Sequence, residues 1–321
     1  MSSQRQEILF TLSIPPYKSP AAPSPGGKIT LSKITLPSND DDPTASSSIS
    51  SHPATGKPRP KHGDPQPTPP IYLLTHHSPP DNRLTPPFLQ AYLHALLKLQ
   101  HSGYPYGILL TTSSIPKFYS NGLDLATFNA ETKSKYLYPL WRKLLTYPMP
   151  TCAVINGHAF AGGLMTAMFH DYRIMNPHRG WLCLNELEFD AELAPPMAEV
   201  FKVKVSNATF RSLVLEARRV TSLQALEMGI VDGLGGVEEA VGIMTDVEGG
   251  YGRGGMVVGV RGRGTVYGGL KEEMYSEVLR ALDGVEGEEG MWKGRYDERR
   301  KREVEEKGLL ERLGREGKAK L

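Results

Sequence analysis

Three short apolar runs, at residues 71–74, 107–111 and 151–155, recur through the middle of the chain, each followed by a turn and then by helical spacing. Runs of four or five residues bounded by turn formers are too short for buried helices and suit strands covered on both faces. After the first, the turn at 78–82 leads to a helix expected over 86–100, with Phe88, Tyr92, Leu93, Leu96 and Leu97 on its apolar face. After the second, a loop at 117–124 precedes a helix around 137–145 that Pro148 and Pro150 close. After the third, a glycine-rich turn precedes a helix at 163–170, and a further strand at 181–184 runs into Asn185 and Glu186. Strands that alternate with helices imply an α/β chain of repeated β-β-α or β-α units around a mainly parallel core.

The flanking segments differ in kind. Residues 1–36 hold a strand at 8–14, stopped by Pro15-Pro16, and its partner at 27–31. Residues 37–70 are Pro, Ser, Asp and Gly with few apolar side chains, so they are expected to form a disordered insertion. The core with the candidate site is assigned to 71–197. A helical region follows at 198–290, broken by an expected loop at 249–269, and a charged tail runs over 291–321.

Among the 321 residues the formal net charge is +2, too small for the basic stripe of a nucleic-acid binder. Cys152 and Cys183 sit in apolar runs without metal-ligand spacing, so they are expected to be buried and reduced, as in an intracellular protein. No apolar run approaches the roughly 18 residues that span a bilayer. No apolar stretch follows a basic head at the N-terminus, so no secretory signal is expected.

Two turns carry the chemistry: Phe118-Tyr119-Ser120-Asn121-Gly122-Leu123-Asp124-Leu125 and Asn156-Gly157-His158-Ala159-Phe160-Ala161-Gly162-Gly163. Their glycines permit close backbone approaches that let N–H groups point into one pocket. Together, these turns resemble the oxyanion-hole loops of the crotonase (enoyl-CoA hydratase/isomerase) superfamily. The resemblance extends to Ser78-Pro79-Pro80-Asp81-Asn82-Arg83-Leu84, to 156–171, to 221–232 and to 267–275. It implies a crotonase-type (ClpP/crotonase) spiral of β-β-α repeats with a C-terminal helical region. Within the superfamily, the chain looks most like the peroxisomal Δ3-Δ2-enoyl-CoA isomerases.

By that resemblance, the Leu123 and Gly162 amides would grip a thioester oxygen, with Ala161 and Gly163 keeping the second loop tight. Contacts to CoA are implied around Asp81, Asn82 and Leu84 and at Asn121, Gly122 and Asp124, with Lys271 a weaker candidate for phosphate. Of the two glutamates that hydratases use, one position matches Met165 and the other Glu186. One retained glutamate resembles the isomerases, with Glu186 moving a proton from C2 to C4 of a 3-enoyl-CoA in fatty-acid β-oxidation. Asp190 stands where the family has glycine, and Glu192 is the alternative base.

His158, His170 and Asp171 read as structural, and Asp124 as the cap of a following helix. The resemblance implies no metal and no cofactor, since CoA is part of the substrate, and a homotrimer or hexamer. The ending Ala319-Lys320-Leu321 resembles a peroxisomal address, which implies an import receptor as partner and the peroxisomal matrix as location. Two alternatives stay open: another acyl-CoA reaction of the superfamily (hydration or thioester hydrolysis), and acyl-CoA binding without catalysis.

Overall fold

The computed structural model describes residues 5–19, 23–35, 50–51, 58–59, 69–245, 264–284, 300–302, 304, 305 and 308. Most of the 37–70 insertion and of the 291–321 tail, with Ala319-Lys320-Leu321, therefore lies outside the described residues.

The chain winds by repetition. Strand β1 (Arg5–Ile14) pairs antiparallel with β2 (Gly27–Thr35), which pairs antiparallel with β5 (Ile71–His77). From β5 onward the ladder turns parallel through β6 (Ile108–Ser113), β8 (Thr151–Ile155), β10 (Tyr172–Met175) and β12 (Gly233–Leu234). After β6, β8 and β10 the chain adds one short strand to a second sheet. These strands are β7 (Phe118–Ser120), β9 (His158–Phe160) and β11 (Leu182–Cys183), in the order β11-β9-β7. Each then hands over to helix: α2 (Ala130–Thr132), a π-helical turn (Lys133–Leu137) and α3 (Tyr138–Leu145) in the first case. In the others, α4 (Gly162–Met168) follows β9, and α5 (Pro195–Lys204) follows β11. This is the β-β-α unit expected from the sequence, and its stacking puts the ends of β7 and β9 side by side.

The buried strands explain the apolar runs. β6 and β8 are buried along their whole length because both sheet faces are covered. Alternate residues divide between two cores: Tyr72 and Leu74 join the larger, and Ile71 and Leu73 the smaller. α1 (Pro86–His101) and α3 pack over the larger core. α8 (Val237–Thr245) covers the smaller with Ala240, Val241 and Met244. The helices α6 (Asn207–Leu215) and α7 (Ser222–Glu227) continue the chain between them. Among the described residues, no helix is long and apolar enough to cross a membrane.

Several expectations need correction. On α1, Leu97 is 36% exposed, whereas Leu89, Ala95 and Leu99 are fully buried, so the core-facing stripe is rotated from the expected one. The loop expected at 117–124 contains β7, and the glycine-rich turn contains β9; three residues of ladder leave too short a pattern for period-two reading. Within the insertion, Ser50–Ser51 (β3) pairs with Pro58–Arg59 (β4), so those four residues form a strand pair. Backbone hydrogen bonds alone suffice for a ladder that short. The end of the expected 249–269 loop is helical, because α9 (Thr265–Met274) starts there and continues into α10 (Ser276–Asp283).

α9 is fastened by one carboxylate. Asp171 Oδ2 accepts from the Thr151 backbone N–H at 2.9 Å, the Thr151 hydroxyl at 3.1 Å, the Tyr267 hydroxyl at 3.2 Å and Lys271 Nζ at 2.9 Å. The Lys271 and Asp171 side chains are only 5% and 9% exposed, so neither charge has water to replace a lost partner. Replacing Lys271 with Met should therefore destabilise the fold by about 3 kcal/mol or more in urea denaturation. A loss below about 0.5 kcal/mol, typical of surface changes, would show that the pair does not hold α9.

Candidate active site

The first loop is built around Asn82, a fully buried residue held at φ 52. Asparagine tolerates that left-handed backbone better than most side chains. The Ser78 N–H donates to Asn82 Oδ1 at 2.7 Å, while Nδ2 donates to Ser113 Oγ at 2.6 Å and to the Phe118 and Tyr119 carbonyls at 3.2 Å. Ser120 Oγ returns a bond to the Asn82 carbonyl at 2.8 Å. The loop then passes Gly122, at φ 85, where the Leu84 N–H donates to the Gly122 carbonyl at 2.9 Å.

The second loop meets the first through two glycines. A Cβ on Gly162 would stand 2.7 Å from Leu123 Cγ and 3.3 Å from the Leu123 nitrogen. One on Gly163 would stand 2.4 Å from the Ser120 carbonyl oxygen. Ala161, at φ 45, turns the chain into α4. Behind it, Trp141 Nε1–H donates to Thr166 Oγ1 at 2.9 Å, and that hydroxyl donates to the Gly162 carbonyl at 2.8 Å. The peptide carrying the Gly162 N–H is held by Met165 N–H donating to the Ala161 carbonyl at 2.9 Å, as Leu84 holds the peptide carrying the Leu123 N–H. Among the described residues, neither the Leu123 nor the Gly162 N–H donates to another backbone carbonyl. The two loops thus bring the Leu123 and Gly162 backbones together, with a Cβ on Gly162 placed 3.3 Å from the Leu123 nitrogen.

A cavity of about 450 Å³ opens there. Leu123, Leu125, Phe128, Phe160, Phe189 and Met197 supply its apolar lining, and Glu186 is part of the same lining. Glu186 starts the 3-10 turn Glu186–Phe189, and its Oε2 is buried with no hydrogen-bond partner. Burial pushes its carboxyl up to about 7, against a smaller opposing pull from its own backbone N–H. The site therefore holds a carboxyl poised near neutrality in a largely apolar cavity, which suits it to take and return a proton.

Of the residues named from the sequence, Asn121, Leu123, Ala161, Glu186 and Glu192 line this cavity. Asp81, Asn82, Leu84, Gly122, Asp124, Gly162 and Gly163 are buried and are not part of that lining. Asp124 does not cap a helix: it closes a turn with Thr127, whose hydroxyl donates to Oδ2 at 2.9 Å, and the cap of α2 is Asn129. Lys271 is buried against Asp171 and is not available to a phosphate. Asp190 is exposed and lies outside the cavity lining, so it neither crowds nor replaces Glu186. It adopts φ 52 and ψ 36, the left-handed geometry that favours glycine, and its N–H bonds back to the Glu186 carbonyl.

His158 packs in tilted ring contacts with Phe118, Phe160 and Trp181, and its Nδ1 accepts the Trp181 backbone N–H at 3.1 Å. His170 is fully buried, with Nε2 2.9 Å from the Thr111 hydroxyl. Both are structural. Two cations in the cavity wall were not named from the sequence as site residues: Arg83, which lies inside the 78–84 segment, and Lys133, which has no periodic or motif signal. The π-helical turn that begins at Lys133 brings it to the wall, an irregularity that sequence spacing does not announce. Among the described residues, no cluster of three or more His, Cys, Asp or Glu side chains is arranged to hold a metal ion.

Residues 69–242 match the family model described as enoyl-CoA hydratase/isomerase. An Arabidopsis thaliana protein named enoyl-CoA delta isomerase 3 is 31% identical over 223 residues, covering 66% of this chain and 92% of the relative. Another from the same plant, named enoyl-CoA delta isomerase 1, peroxisomal, is 32% identical, covering 65% and 88%. The crystal structure of a human mitochondrial delta3-delta2-enoyl-CoA isomerase superposes with a TM-score of 0.53 at 23% identity, covering 71% of this chain and 95% of that one. That likeness carries the fold.

The raised Glu186 value has a consequence for stability. An acid whose folded value lies above its ordinary one stabilises the native state while both states hold the proton, and loses that contribution as pH rises from about 4.5 to about 7. Glu186→Gln keeps the neutral form throughout. It should gain on the order of 2 kcal/mol over wild type near pH 8, shrinking toward zero below about pH 4.5. Denaturant midpoints at the two pH values measure this, and an equal difference at both would remove the inferred burial effect.

Proposed function

The chain belongs to the enoyl-CoA hydratase/isomerase family, and from that premise we propose that it is an enoyl-CoA isomerase shifting a 3-enoyl-CoA double bond to the 2-trans position. The observation that carries this reading is the single partner-free carboxylate oxygen of Glu186 in the cavity that Leu123 lines. A C2 proton of a 3-enoyl thioester is acidified by both the carbonyl and the double bond. Glu186 removes it, and the electrons spread onto the thioester oxygen as a dienolate. The Leu123 and Gly162 amides stabilise that oxygen, a contribution on the order of 3 kcal/mol per donor at comparable sites. The carboxyl then returns the proton to C4, so one base completes the transposition. Its raised value suits it to both halves of the shuttle.

Met165, at the position where hydratases carry their second glutamate, is buried in α4 and absent from the cavity lining, which favours isomerisation over hydration. Glu192 lines the cavity from an exposed position and is the alternative base. The proposal needs no metal or separate cofactor, because CoA arrives with the substrate. It places the reaction in fatty-acid β-oxidation. A peroxisomal location, with an import receptor reading Ala319-Lys320-Leu321, is supported by the relative whose name carries that compartment. The expected homotrimer or hexamer is supported by Val266, Leu270 and Met274, exposed at successive four-residue steps on α9.

Turnover of trans-3-hexenoyl-CoA, followed as formation of the conjugated 2-trans thioester, tests the reading. Glu186→Gln should lower kcat by roughly 10²–10⁴-fold, and Glu192→Gln should keep most of the wild-type rate. The reverse pattern would move the base to Glu192 and leave the reaction standing. Folded wild type that binds acyl-CoA without turnover would overturn the reaction itself. In the active enzyme, kcat/KM should rise with pH through about 7, as Glu186 loses its proton. A profile already flat above about pH 5 would contradict Glu186 as the base.

A further inference from the structure

Beside the first oxyanion loop lies a group of charged and polar side chains that the mechanism does not use. Asp81 is 9% exposed, and its Oδ2 accepts from Asn121 Nδ2 at 2.7 Å and from Arg83 Nε at 3.1 Å. Arg83 Nη1 then donates to the Leu123 carbonyl at 3.2 Å. The backbone runs in step with these contacts: the Asn121 N–H donates to the Asp81 carbonyl at 3.0 Å, and the Leu84 N–H to the Gly122 carbonyl at 2.9 Å. The segment Asn121-Gly122-Leu123 is thus gripped at both ends by groups tied to one carboxylate oxygen. Arg83 and Asn121 also form part of the cavity wall, whereas Asp81 does not.

We infer that Asp81 is a positioning residue that fixes the Leu123 amide through Arg83 and Asn121. The physical need is specific. An oxyanion donor contributes most when its direction is set before charge develops, and small displacements cost large factors in rate. Gly122, at φ 85, gives the loop backbone freedom that the fold alone would not remove. The Asp81 charge also keeps Arg83 directed at the Leu123 carbonyl. Without it, the guanidinium is free to turn toward Glu186 and Glu192, the two carboxylates in the same wall. The lever thus acts on the transition state more than on substrate binding.

The inference rests on the isomerase reading, and its test separates the two. Asp81→Asn keeps the size of the side chain and removes the charge that holds two donors. With trans-3-hexenoyl-CoA it should lower kcat by roughly tenfold or more, with KM within about twofold of wild type. Combined with Arg83→Gln, the two losses should not add, since Asp81 acts through Arg83. Acetoacetyl-CoA, an acyl-CoA with an acidic C2, reports the oxyanion site directly through the near-ultraviolet absorbance of its bound enolate. That absorbance should fall in Asp81→Asn while affinity for saturated hexanoyl-CoA is retained.

Should Asp81→Asn fail to fold, Asn121→Ala cuts one arm of the clamp and leaves the ion pair, and it should give the same split at smaller size. Unchanged kcat, or a rise in KM matched by loss of hexanoyl-CoA affinity, overturns the positioning role. If the wild type does not turn over hexenoyl-CoA, the proposed function falls, and the enolate readout decides the positioning role alone. Equal enolate absorbance in wild type and variant, or none in either, rejects it.

Discussion

The approach of the Gly162 backbone to Leu123 is the constraint on which the cavity depends. A side chain as small as a methyl at Gly162 would stand 2.7 Å from Leu123 Cγ, well inside contact distance. Glycines at 162 and 163 let two loops from different β-β-α units approach this closely. The repeat makes this possible, because β7 and β9 are neighbours in the second sheet and their ends are adjacent by construction. The remaining loop architecture, from the Asn82 hub to the Trp141-Thr166-Gly162 chain, resists the movement that would separate them.

Burying a carboxylate without a partner runs against folding, since the charged form loses water and gains nothing. Glu186 meets that cost by holding its proton up to about 7, the range in which a base that must take and return a proton works best. The neighbouring acids are handled otherwise. Glu188 is exposed and paired with Arg219 at 3.1 Å, and Asp190 is exposed and outside the cavity lining. Four carboxylates within seven residues of chain therefore have separate environments, and Glu186 is the one whose proton affinity burial has raised.

What the sequence disclosed follows from how local the signals were. The buried strands were legible because both faces are apolar, and the two turns because glycines mark them. β7 and β9 were not, since a three-residue strand has no period to read and exists only through pairing across the spiral. Arg83 and Lys133 reach the cavity through tertiary placement, Arg83 by its bond to the Leu123 carbonyl and Lys133 by a π-helical turn. Lys271 misled because its charge suggested a phosphate contact, while its partner, Asp171, lies a hundred residues away in sequence and touches it only in the folded chain.

Asp190 shows why a departure from a family pattern needs a backbone before it needs a chemical interpretation. The position follows a 3-10 turn and adopts φ 52 and ψ 36, a geometry that costs most side chains about 1 kcal/mol or more and glycine nothing. Aspartate and asparagine enter that region more readily than other residues. The substitution keeps the turn, and the Asp190 and Ala191 N–H groups both return to the Glu186 carbonyl, the latter at 3.0 Å. These bonds fix the backbone from which the Glu186 side chain enters the cavity. Asp190 takes a backbone geometry that favours glycine, so Glu186 stays in the cavity lining and the added charge is exposed to solvent.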